Sequence, residues 1–346
     1  MNNISPIDGR YKENVSELEG YFSEQALMRY RIMVEVEYLL SLVELKSFQK
    51  KRSLSKKTLS SLRILYTEFS DKDFKQIKKI ESKTNHDVNA VVVFISEKLE
   101  KISRQDLIPL VHFGLTSEDI NNTAYSLMTK GATKNIMVPA IKNVLKELKK
   151  LARRTKSLPM LSLTHGQPAT TTTLGKELAV FISRIERELV LISEINLLAK
   201  FSGATGSYAA HKAAFPAANW SVFAKKFIKR LGLGQSPITS QIEPGDSIAG
   251  LLHSYVRINN IFSDFSLDMW LYISRNIFVQ KNVSGEVGSS TMPHKINPIF
   301  FENAEGNLDV ANNNFSFLAS RITKSRLQRD LSLSLIHISE PTRPRL

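Results

Sequence analysis

The sequence predicts an all-α fold, a bundle of long helices. Three observations carry that expectation. Apolar residues recur at helical spacing over three long windows, no pair of turn-linked strands stands out strongly, and capping residues mark helix starts. The first window puts Leu27, Tyr30, Arg31, Val34, Tyr38 and Val43 on one face. The second does the same for Leu174, Leu178, Phe181, Ile182, Ile185 and Leu189, in a helix beginning near Thr173. The third runs through Ile248, Leu251, Leu252, Tyr255, Ile258 and Phe262 and continues with Phe265 and Met269. It predicts a helix from Asp246 to Gln280, with Pro244 and Gly245 setting the start and Asp246 as N-cap. Helices of this length suit a bundle. The single hairpin expected lies around Phe201 to Ala210, where Gly203 and Gly206 punctuate the chain. A first helical domain is expected over 1–109 and a central long-helix domain over 110–332. A tail of 333–346 shows no clear amphipathic period.

Composition narrows the function classes. The 346 residues hold 42% hydrophobic and 23% charged residues, as in an ordinary globular protein. There is no cysteine, which excludes disulfides, thiolate metal sites and a Cys nucleophile. Met1 to Pro6 carries neither a basic nor an apolar signal region, and no apolar stretch reaches the length of a membrane span. A cytoplasmic location is expected. The net charge of +14 could mark a nucleic-acid binder. The lysines are instead spread over helical faces, as at Lys142, Lys146, Lys149 and Lys150, with no zinc-finger or RNA-recognition spacing. A solvated surface that also attracts a polyanionic small substrate is the better account, and neither nucleic acid nor membrane is expected as a partner.

Four polar runs carry candidate chemistry. The run Gly288 to Pro298 gathers Ser289, Ser290, Lys295 and Asn297, and Pro293 and Pro298 keep it from being helix or strand. Such a loop between long helices is where catalytic groups tend to sit. Thr164-His165-Gly166-Gln167-Pro168-Ala169 is the second. Lys83-Thr84-Asn85-His86-Asp87-Val88 is the third; its ordinary reading is a helix start with Thr84 as cap and Asp87 three residues on. Leu115-Thr116-Ser117-Glu118-Asp119-Ile120-Asn121-Asn122 is the fourth, again a capped start, whose N–H groups and hydroxyls could hold a carboxylate.

These runs resemble known ones. Gly288 to Pro298 is similar to the mobile active-site loop of the fumarase/aspartase superfamily. Thr164 to Ala169 and Thr84 to Val88 resemble runs of the adenylosuccinate lyase family, and Thr116 to Asn121 a T-S-x-D-x-N run of fumarase-type lyases. Ser5 to Tyr11, Gln241 to Pro244 and Arg326 to Leu331 match further segments in the same order. Together they cover nearly the whole chain and resemble the bacterial type of that family.

The resemblance implies a fumarase/aspartase-like bundle that releases fumarate from adenylosuccinate, giving AMP, and from succinylaminoimidazole carboxamide ribotide. It implies Ser289 as general base, stabilised by Lys295, and His165 as general acid, oriented by Glu302 from another subunit. It implies that Lys295, Asn297, Thr116, Ser117, Gln241 and Ser290 bind the succinyl carboxylates. Arg10, Tyr11 and Arg329 then hold the phosphate, and Asn85, His86, Asp87 and Asn303 line the nucleotide pocket. A small-molecule nucleotide substrate and a homotetramer with shared active sites are implied, with no metal and no organic cofactor. Glu302 also reads as a helix-start carboxylate. An argininosuccinate lyase-like enzyme and a non-catalytic binding or scaffold protein on the same fold are the other readings. Ser334 stands where the family carries a phosphate serine, and His337 and Ile338 where it carries an arginine. The run from Ser334 also resembles a translated sequencing-adapter read-through and is expected to lie outside the fold. The family's further helices and small C-terminal domain are not matched, which is expected to expose apolar helix faces and lower solubility and activity.

Overall fold

The computed structural model describes residues 5–45, 48, 54–280 and 296–330. Helices dominate it. Short helical turns at Lys12–Val15, Ser16–Leu18 and Glu19–Phe22 precede α1 (Glu24–Val43). Ser23 caps α1 by accepting from the Ala26 amide. Along the predicted face Leu27, Arg31, Val34, Tyr38 and Val43 are all buried. Two of α1's buried side chains, Arg31 and Glu35, are charged, and that becomes important at the site.

The helices α2 (Lys56–Thr67), α3 (Asp71–Thr84), α4 (Asp87–Lys101) and α5 (Ser117–Ala132) follow, with a 3-10 turn at Gln105–Leu110. The expected cap at Thr84 is corrected here. Thr84 is the last residue of α3, Asn85 stops that helix at φ 49°, and His86 caps α4 through Nδ1, which accepts from the Asn89 amide at 3.1 Å. Asn tolerates the left-handed region because its short polar side chain bonds locally. The break therefore falls later than a Thr-x-x-Asp pattern indicates.

After a π-helical turn at Thr133–Met137 come α6 (Val138–Arg154), β1 (Pro159–Thr164), β2 (Gln167–Thr173) and α7 (Leu174–Glu194). Then follow β3 (Leu198–Ala199), α8 (Ala209–Ala214), α9 (Trp220–Arg230), β4 (Gly234–Gln235), α10 (Asp246–Ser274) and α11 (Ile299–Ile322). Thr173 caps α7. The helix α10 starts at Asp246, which is its first helical residue rather than the expected N-cap, and ends at Ser274. The hairpin expected at Phe201 to Ala210 is not formed. The antiparallel pair is β1 and β2, and the strand next to Phe201, β3, pairs in parallel with β4. Gly203 and Gly206 have φ of 79° and 73°, so they turn the chain without pairing it.

Two compact units emerge from the contacts. The first holds Met1–Met137, Asn196–Ile248 and Lys324–Leu346; the second holds Val138–Ile195 and Ala249–Thr323. Pro109, the boundary expected from sequence, lies inside the first. The first unit's core includes Tyr38, Phe94, Phe201, Trp220 and Phe227. In the second, Leu178, Phe181, Ile182 and Ile185 of α7 and Leu251, Leu252, Tyr255 and Ile258 of α10 are buried, as the helical spacing predicts.

Candidate active site

Among the described residues, nine of the expected site residues lie in the first unit: Arg10, Tyr11, Asn85, His86, Asp87, Thr116, Ser117, Gln241 and Arg329. Their setting is built from buried charges. Arg31 of α1 has a fully buried side chain and donates from Nη2 to Asp87 Oδ2 at 2.6 Å and from Nε to Asn121 Oδ1 at 2.9 Å. Burial opposes ionisation of Asp87, but the Arg31 charge and the Val88 amide outweigh it and hold the carboxyl below its ordinary value. His86, exposed beside it, is held in place by its capping bond.

A second buried pair organises the start of α5. Asp119 takes the Thr116 amide on Oδ2 at 2.9 Å, the carboxylate half of a capping box. It also accepts from the amides of Ser202 and Gly203 and from Lys200 Nζ at 2.9 Å, with neither side chain of the pair exposed. Burial pulls the Lys200 ammonium below its ordinary value although Asp119 pulls the other way. Lys200 Nζ also donates to Gly203 O, and Asn122 bonds both backbone groups of Lys200. The loop after β3 is thereby fixed to the turn that presents Thr116 and Ser117.

The same loop reaches the phosphate end of the expected site. Gln241 donates from Nε2 to Ala204 O at 2.9 Å, and its Oε1 accepts from Arg329 Nη1 at 2.8 Å. Two residues assigned to different parts of the substrate are thus joined. Glu118 is pushed up to about 7 by burial, against the opposing charges of Arg329 and Lys200. Arg10 and Tyr11 sit in the N-terminal turn, with the guanidinium carbon 5.9 Å from the Tyr11 ring centroid.

His165, Asn297, Glu302 and Asn303 lie in the second unit. His165 and Gly166 form the two-residue tip of the β1–β2 hairpin, between Thr164 and its partner Gln167. Their φ values of 54° and 71° are those of a type I′ turn, whose twist matches the flanking strands. Arg275, just beyond α10, donates from Nη1 to Gly166 O at 2.9 Å and secures the tip, leaving the His165 ring exposed. Glu302, exposed in the first turn of α11, accepts from Trp270 Nε1 at 2.9 Å. Asn303 Oδ1 accepts from Asn307, and Asn297 precedes the helix. Ser289, Ser290, Lys295 and Ser334 lie outside the described residues.

Sequence reading missed Asp119 and Lys200 as organisers and took Arg31 only as part of a helix face. A lysine between Ala199 and Phe201, and charges at 31 and 35 amid apolar neighbours, were the available signals. Among the described residues, no group of three or more His, Cys, Asp or Glu could hold a metal ion. No helix of these residues is long and apolar enough to cross a membrane.

Comparison with known proteins agrees with the motif order. A family model described as "Lyase" matches residues 9–311. Adenylosuccinate lyase of Dictyostelium discoideum is 47% identical over 340 residues, 96% of this chain and 73% of that protein. The chain belongs to the adenylosuccinate lyase family. The enzyme of that name from Legionella pneumophila (strain Corby) is 44% identical over 97% of this chain and 74% of its own length. That from Escherichia coli (strain K12) is 43% identical over 96% and 73%. Among solved structures, a fumarate lyase from Mesorhizobium sp. BNC1 superposes with a TM-score of 0.72 at 18% identity, covering 91% of this chain and 68% of that one. The 3-carboxy-cis,cis-muconate lactonizing enzyme from Pseudomonas putida gives 0.73 at 20%, covering 93% and 69%. At such identities these two show the fold alone, a bundle of long helices.

Proposed function

We propose that this chain catalyses elimination of fumarate from adenylosuccinate, giving AMP, and the same elimination from succinylaminoimidazole carboxamide ribotide. The observation that carries this reading is the identity of 47% to an adenylosuccinate lyase over 96% of the chain; the four polar runs all fall within residues 9–311, the span that the lyase family model matches.

The reaction breaks a C–H bond beside a carboxylate and the neighbouring C–N bond, and forms the C=C bond of fumarate. The proton from carbon goes to a base, and the departing nitrogen takes one from an acid. Ser289 is assigned as base, its alkoxide stabilised by Lys295, because a free serine hydroxyl is too weakly acidic to serve alone. His165 is assigned as acid. The hairpin supports this: its tip leaves the imidazole open to a ligand while Arg275 holds the turn. Glu302 is assigned to orient the imidazole from a neighbouring copy.

Charge development on the carbon acid calls for fixed donors around the carboxylates. Thr116 and Ser117, with Ser290, Lys295, Asn297 and Gln241, are assigned to them; the start of α5 favours anions through its free N–H groups and dipole. Arg329, with Arg10, Tyr11 and Ser334, is assigned to the phosphate, where a planar fork of donors suits the oxygens. Asn85, His86, Asp87 and Asn303 are assigned to the nucleotide pocket. The assembly is proposed to be a homotetramer, supported by exposed apolar side chains on α10 and α11 such as Leu267, Leu271, Phe300 and Phe317.

The test is fumarate release, followed by absorbance, from adenylosuccinate and from argininosuccinate. Release from the first alone is expected. Release from the second, or from neither, would overturn the reading.

A further inference from the structure

The first unit contains a buried histidine for which the proposed chemistry has no use. His211 lies on α8 and is 2% exposed. Its Nε2 is 2.9 Å from Tyr38 Oη, and Tyr38 Oη donates its only hydrogen to Phe113 O at 2.7 Å. The bond between the two side chains must therefore be donated by the imidazole, which fixes the ring as the Nε2–H tautomer. Among the described residues Nδ1 has no hydrogen-bond partner, so a second ring proton would be a buried donor without an acceptor. Burial, with a smaller contribution from Lys200, accordingly holds the ring's pKa down at about 4 despite the Asp119 charge.

What this ring touches is the turn before α5. Gly114 has φ 68°, and a Cβ built there would come within 2.9 Å of three His211 ring carbons. Only glycine fits, both for its conformation and for the space. Trp220 packs on the same imidazole at a centroid distance of 4.7 Å, and Phe201 and Phe227 on Tyr38 at 4.8 and 5.7 Å. From the other direction Glu35, fully buried one turn before Tyr38 on α1, accepts from the His112 amide at 3.1 Å and lies 2.5 Å from His112 Nδ1. Burial alone would lower the His112 pKa, but the Glu35 bond and charge outweigh it and raise it. The stretch from His112 to Gly114 is thus gripped by α1 through two side chains and floored by the His211 ring.

We propose that His211 is a positioning residue: its neutral, Nε2-protonated ring holds Tyr38, and through Tyr38 the Phe113–Gly114 turn that sets Thr116 and Ser117 toward the substrate. This rests on the role assigned above to Thr116 and Ser117. The ring itself touches no substrate. Its effect is to keep the donors at the start of α5 in one arrangement before the ligand arrives, which lowers the ordering cost of binding.

The test pairs an activity readout with one that needs no activity. Tyr38→Phe removes one oxygen and keeps the ring packing; His211→Leu removes the donor; His211→Gln keeps a donor near Nε2. For Tyr38→Phe and His211→Leu, KM for adenylosuccinate is expected to rise about tenfold, the value of one buried hydrogen bond, with kcat within about threefold of the parent. Hydrogen exchange by mass spectrometry should speed up about tenfold over 113–119 and stay unchanged over α9. His211→Gln should recover most of both effects. Unchanged exchange over 113–119 in Tyr38→Phe and His211→Leu would overturn the proposal, and so would an equal rise throughout the unit. If the parent chain releases no fumarate, the functional reading fails, and exchange over 113–119 still decides the role of His211.

Discussion

The two units handle the candidate site in opposite ways. In the first, the expected substrate residues rest on buried charges whose partners come from the same chain: Arg31 with Asp87, Asp119 with Lys200, Glu35 with His112. In the second, His165 stands exposed on a hairpin tip and Glu302 on an exposed first turn, and Phe300 of α11 is 71% exposed. The first arrangement is settled by the chain's own fold. The second has its backbone set by the fold and its side chains open, the condition of a surface that a ligand or a second copy completes. The expected binding groups and the expected proton-transfer groups are thus separable, and substitutions should separate them.

The largest effect is expected from His165→Ala. Fumarate release should fall by about 10²–10⁴-fold, the worth of a positioned acid. The melting temperature should barely move, because the side chain is exposed. Loss of both together would show that the hairpin tip is structural. Asp119→Ala should instead act first on the fold. It strands Lys200 as a buried, unpaired charge and should cost about 3–5 kcal/mol in urea unfolding. A cost below about 1 kcal/mol would mean that the first unit does not depend on this pair.

Acid titration should sharpen the comparison, since groups with shifted pKa values and opposite signs share the first unit. Glu118 and Glu243 are both pushed up to about 7 by burial. Each binds more protons folded than unfolded between pH 4.5 and 7, so its contribution to stability weakens as pH rises through that window. His211, held at about 4, binds more protons unfolded, so its contribution is lost as pH falls from about 6.5 toward 4. Each effect is on the order of 3 kcal/mol over its full window. Glu118→Gln should flatten the measured fall between pH 4.5 and 7; an unchanged slope would remove Glu118 as its source. The smallest effect is expected at the exposed apolar side chains. Phe300→Ser and Phe317→Ser should change chain stability by under about 0.5 kcal/mol. They should weaken self-association in sedimentation velocity, and unaltered association would exclude this face as the contact between copies.

The sequence on its own determined the helix faces. The windows through Leu27 to Val43, Leu174 to Leu189 and Ile248 to Met269 read correctly because helical burial repeats every three or four residues and needs no distant information. It also determined the order of the polar runs and the capped start at Thr116, whose partner Asp119 is local. Only the tertiary structure decided the rest. The β1–β2 hairpin escaped notice because its tip is His-Gly rather than Asn-Gly, and because pairing between Thr164 and Gln167 is a cross-strand property. The Asp119–Lys200 and Arg31–Asp87 pairs join residues far apart in sequence, and a charged residue on an apolar face carries no mark of the partner that makes its burial tolerable. The tautomer of His211 depends on the bond that Tyr38 spends on a backbone carbonyl, and that bond exists once α1, α8 and the turn before α5 have packed together.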